Sequence, residues 1–196
     1  MEKLEIKANI NGYSQEELEF RAVATYQLLK TEVGIVASWI KNILENSNDE
    51  ELKSKVISED EKKILVPEIL AFFIFNIWHI NLNIFKEEKA EALNAILTEV
   101  FMYKFGIKDQ EIFRQYYQEK PANDTFNDMT WKFYLFGKAI ARSLGSEKDA
   151  RIILPISLLM TNLTECVNRT LNITLNLERG ELEKFMASVE ERFNQG

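Results

Sequence analysis

The stretch ILAFFIFNIWHINLNIF, residues 69–85, carries no charge and holds His79, the only histidine in the chain. Its reading decides the fold, because an uncharged apolar run of this length fits a membrane span, an apolar setting for a metal or cofactor ligand, or a buried helix of a globular domain. Set out at 100° per residue, Asn76, His79 and Asn83 fall within about 60° of one another. Glu68, Lys86 and Glu87 extend the same stripe, and Phe73, Ile77, Ile80 and Ile84 lie elsewhere. A helix with one polar side is expected to pack in a protein rather than face lipid all round. The run is also at the short limit for crossing a bilayer, where its asparagines and histidine would be costly.

The stripe itself reads either as a weakly polar surface face or as one side of an internal polar pocket. The exposed faces of this chain are otherwise rich in Lys and Glu, so a polar face without charge points to cover by another element or a partner. Asn76, His79 and Asn83 are accordingly the candidate ligand contacts. No metal or cofactor is assigned. A carboxylate-bridged di-iron bundle needs two Glu-x-x-His units and a structural zinc site needs four ligands, against one histidine and one cysteine here.

Outward from this run the pattern is helical. Among 196 residues, 46% are hydrophobic and only 7 are Gly and 3 Pro, which predicts few, long elements and a single helical domain. Ser14 is placed as an N-cap with Glu17 as its capping-box partner and Tyr13 and Leu18 as a staple. From there Leu18, Ala22, Tyr26, Leu29, Val33, Val36, Ile40 and Ile43 share one arc to about Leu44. A charged stretch to Lys63 reads as short solvated turns. Pro67 suits the first turn of a helix over Val66–Phe85, and Glu87–Phe105 forms the next, closed by Gly106. A short aromatic helix is expected over Asp109–Gln118. The loop at 119–125 is the candidate subdomain boundary, and Thr125 and Asp128 cap a helix to Leu144.

Glu147–Asn168 is amphipathic, with Pro155 marking a kink or a late start. Beyond it, 170–177 alternates Thr-Leu-Asn-Ile-Thr-Leu-Asn-Leu, which predicts a short strand. Its expected partner is 4–10, where Leu4, Ile6, Ala8 and Ile10 alternate with polar residues. A last helix follows Gly180. The expected fold is mainly α: a single-domain bundle of six to eight helices with a two-stranded pairing of 4–10 and 170–177.

A net charge of −7 opposes a phosphate backbone, so nucleic acid is not an expected partner. The N-terminal stretch has no apolar signal segment, and one cysteine fits a reducing cytoplasm. The Asn-x-Thr triplets at Asn123, Asn162, Asn168 and Asn172 are then by-products of composition. Cys166 lies between Glu165 and Arg169 with no base nearby in sequence, and no nucleophile elbow, phosphate loop or zinc helix motif occurs. Trp131, Leu135, Lys138 and Arg142 recur at helical spacing opposite Met129, Phe133, Phe136 and Ile140. That helix has two apolar faces, and its Trp and basic stripe is the candidate interface. The expected function is a non-enzymatic interaction or regulatory protein, homo-oligomeric or bound to a protein partner. The alternative is a module holding a small apolar or aromatic ligand between helices.

Overall fold

In the computed structural model, which describes residues 12–55, 61–84, 87–105 and 128–194, the uncharged run lies at the centre. It belongs to α3 (Val66–Ile84), where every residue from Ile69 to Ile77 is buried, so neighbours must cover it from several sides. The cover comes from α1 (Gln15–Glu45), α4 (Glu87–Phe105), α5 (Asp128–Ser143) and α7 (Met160–Asn176). A short α2 (Glu50–Lys53), a 3-10 turn (Glu61–Leu65), α6 (Ala150–Leu158) and α8 (Arg179–Asn194) complete a mainly α bundle. Phe72 sits at the crowded middle, with ring centroids 4.9 Å from Phe136, 6.1 Å from Phe133 and 5.9 Å from Phe75. Tilted rings at these separations add attraction beyond the burial of area.

Two stretches, Lys63–Asn81 and Ala150–Asn176, are long and apolar enough to cross a membrane by length and composition. The first has 61% of that window buried inside the protein.

α1 begins where Ser14 accepts a hydrogen bond from the Glu17 N–H at 3.2 Å. The reciprocal half of the expected capping box is replaced, because Glu17 accepts from Arg21 Nε at 2.7 Å and from Arg179 at 3.3 Å. The expected apolar arc of α1 is buried from Leu18 to Ile40, and Ile43 is partly buried against the core. A second face, Ala24 and Leu28, packs on Leu182 and Met186 of α8.

The expected strand over 170–177 is incorrect: residues to Asn176 continue α7 as a helix. Val167, Thr170, Leu171, Thr174 and Leu175 are all buried, a spacing of i, i+3, i+4, i+7 and i+8 that becomes visible once threonine counts as an inward residue. Burial of Thr174 is tolerable because its hydroxyl is bonded. Thr174 Oγ1 donates to the Thr170 carbonyl at 3.0 Å and accepts from Thr25 Oγ1 at 2.9 Å. Buried Arg21 donates to the Thr174 and Leu177 carbonyls at 2.6 and 3.0 Å, which satisfies the C-terminal end of α7. The Tyr13 hydroxyl donates to the Leu175 carbonyl at 2.7 Å. Ile173 and Leu177, the other half of the alternation, pack toward α8. The proposed partner strand at 4–10, the helix at 109–118 and the boundary at 119–125 lie outside the described residues.

The amphipathic segment after Glu147 divides into α6 and α7 at Leu159, four residues beyond Pro155. Pro155 cannot donate to the preceding turn, and the Leu159 N–H bonds the Ile156 carbonyl three residues back, tightening the helix where it bends. Asp149 caps α6, and Arg151 ties that end to α2 by bonding Asp49, Glu51 and Asp149. The Arg151 hydrogen bond holds the Asp149 carboxyl below its usual range.

The pair α5 and α6 approaches closely at Gly137. A Cβ there would stand 2.5 Å from both the Ile153 carbonyl oxygen and Ser157 Oγ. One of those atoms is backbone, so relief requires a shift of α6. Gly137→Ala is therefore expected to lose about 1–2 kcal/mol, overpacking outweighing its gain in helix propensity. Gly34→Ala in α1, where nothing lies within 4 Å, is expected to gain about 0.5–1 kcal/mol. Urea unfolding of both variants checks the opposed signs; two gains of equal size would refute the close approach.

Candidate functional site

Of the α3 stripe, Asn76 is turned toward another helix. Asn76 is 1% exposed; its Nδ2 donates to the Phe72 carbonyl at 3.0 Å and its Oδ1 accepts from Thr164 of α7 at 3.2 Å. His79 is half-buried, with its ring stacked on Phe75 at 6.1 Å and 25°. The side chain of Asn83 lies outside the described residues. Asn76 thus links α3 to α7, and its amide has partners at both ends inside the protein.

A more unusual polar feature stands between α3 and α4. Trp78 Nε1 donates to Thr98 Oγ1 at 3.0 Å, and Asn81 Nδ2 donates to Asn94 Oδ1 at 2.7 Å. Moving back three positions along α3 moves forward four along α4, so the two helices run antiparallel. Asn81 and Asn94 are 0% and 2% exposed. The single bond leaves Asn81 Oδ1 and Asn94 Nδ2 without a hydrogen-bond partner among the described residues. A buried polar atom in that condition costs about 1–3 kcal/mol. Periodicity did not expose this pair, since Asn81 lies off the Asn76–His79–Asn83 stripe and its partner is on another helix.

The stripe on α5 is divided. Leu135 is buried in the core, and Trp131 is partly buried against it with its ring stacked on Tyr134 at 5.3 Å and 23°. Lys138 and Arg142 both reach Glu147, at 3.9 and 3.1 Å, bridging the end of α5 to the turn before α6. The two cations therefore hold a local connection, and the leucine faces inward.

Cys166 is buried beside Glu32 of α1, whose carboxylate also binds Arg169 at 3.1 Å. Burial, with the Glu32 charge adding to it, pushes the thiol up to about 11. At neutral pH this sulfur is a protonated, weakly nucleophilic packing group. Among the described residues no three His, Cys, Asp or Glu side chains gather as metal ligands would.

The apolar surface that sequence reasoning missed is on α6. Ile152, Ile153 and Ile156 are buried, whereas Leu154 and Leu158 are 58% and 79% exposed, one turn apart on the outer face. The signal was present: Ile152–Leu159 is apolar around most of the helix, and one helix cannot bury every side against a single neighbour.

For the Asn81–Asn94 pair, replacing one amide strands the other, but replacing both removes the need. Asn81→Leu and Asn94→Leu are each expected to lose about 2 kcal/mol or more, and the double variant to be more stable than either. Denaturant unfolding of the four proteins measures the coupling; additive single effects would contradict the pairing. No protein-family model, curated protein or solved structure matches the chain.

Proposed function

We propose that this chain is a non-enzymatic helical interaction protein that self-associates through the outer face of α6. The observation that supports this reading is the pair Leu154 and Leu158, two large apolar side chains left in water on a helix whose other face is packed. Removing such surface from water favours association, and a short leucine face can meet its own copy in a two-fold contact. Arg151, bound to Asp49, Glu51 and Asp149, fixes the start of α6, so little ordering is required on binding. The alternative of a small ligand held by Asn76, His79 and Asn83 gains no support from Asn76, whose amide is bonded within the protein.

Leu154→Glu/Leu158→Glu replaces only exposed side chains, so its helical circular dichroism is expected to match the parent. Light scattering over a concentration series is expected to give an oligomer for the parent and a monomer for the variant. A monomeric parent throughout, or a variant with the parent's mass, would overturn the proposal.

A further inference from the structure

A second surface lies between α1 and α4 and does not involve α6. Gln15, Glu19 and Val23 recur every four residues along α1, and Ile96, Glu99, Val100 and Tyr103 form one face of α4. Together they line a groove of about 430 Å³. Its floor is aliphatic: Val23, Ile96 and Val100 are each partly buried, the latter two against the main core. Tyr103 stands at one end, 82% exposed.

Charge and shape select the occupant. Each wall carries one exposed carboxylate, Glu19 on α1 and Glu99 on α4. Glu19 accepts from Gln15 Nε2 at 3.1 Å, and neither carboxylate has an ion-pair partner among the described residues. The one cation between Gln15 and Val23, Arg21, is buried and bonded to Glu17 and to the Thr174 and Leu177 carbonyls. The α4 span from Ile96 to Tyr103 contains no basic residue, and the whole chain carries −7. An aliphatic floor between acidic walls is complementary to an apolar ridge flanked by lysine or arginine. The groove is partly open to solvent, so a small ligand would keep some of its surface wet, unlike the deep burial typical of small-molecule sites. From Gln15 to Val23 the wall is about 12 Å long, room for two turns of a helix with anchors at i, i+4 and i+7.

We infer that the α1–α4 groove docks a basic amphipathic helix of a protein partner, with its aliphatic side chains on Val23, Ile96 and Val100 and its lysines or arginines against Glu19 and Glu99. The probe is a fluorescein-labelled Leu/Lys peptide with leucines at i, i+4 and i+7, measured by anisotropy against the full chain. A Leu/Glu peptide of the same pattern is the control. The Leu/Lys peptide is expected to bind and the Leu/Glu peptide not to. Glu19→Lys/Glu99→Lys is expected to weaken binding about tenfold or more. Glu165→Lys/Glu191→Lys, an equal charge change on α7 and α8, is expected to weaken it far less. Absence of binding, equal binding of both peptides, or equal loss in the two charge variants would overturn the inference. Octylamine binding as tightly as the peptide would overturn the choice of a helical partner.

Discussion

The complete burial of Ile69–Ile77 constrains every neighbouring element. A helix with no solvent-facing side over more than two turns must be enclosed, and its backbone hydrogen bonds are internal, so only side chains have to be matched by the surroundings. That requirement places α1, α4, α5 and α7 around α3 and makes the Phe72–Phe136 contact the centre of the core. The polar residues of α3 tolerate enclosure because other helices receive them: Thr164 meets Asn76, Thr98 meets Trp78, and Asn94 meets Asn81. These bonds also fix the register of each contact, since a slip of one residue would leave an amide facing hydrocarbon.

The enclosing layer has its own polar seam. Arg21, Thr25 and Thr174 are buried along the contact of α1 with α7, and Arg21 closes the end of α7 while binding Glu17. A buried guanidinium is tolerable there because two carbonyls and a carboxylate surround it. The same seam explains how α8 joins the bundle: Ala24 and Leu28 lie on the side of α1 turned toward α8, together with Ile173 and Leu177 from α7.

Much of this was legible in the sequence where apolar residues recur at helical spacing. The long arc of α1 and the Ser14 cap follow from residue positions alone, whereas α3, expected to be one-sided, is enclosed on every side over Ile69–Ile77 and carries a buried Asn81 off its polar stripe. The end of α7 was not legible, because Thr170 and Thr174 look polar in a hydropathy pattern and the alternation with Leu171, Ile173 and Leu175 imitates a strand. The Thr174 hydroxyl bonds to the Thr170 carbonyl one turn back and to Thr25, contacts that exist only after folding. The candidate site was legible in part for the same reason. Asn76 and His79 were found as a stripe, but whether an amide meets water, a helix or a ligand depends on Thr164, 88 positions away. Leu135 looked like an interface residue and faces the core, whereas Leu154 and Leu158, in a stretch apolar on most sides, remain outside.

Native-state hydrogen exchange followed by NMR tests the central role of α3 most directly. If α3 is enclosed as described, the amides of Ile69–Asn81 exchange only through global unfolding, with opening free energies equal to the stability from denaturant melts. The amides of α8, held by a smaller apolar cluster, exchange through smaller openings. Exchange of Ile69–Asn81 as fast as that of α8, with opening free energies well below the global value, would contradict the account.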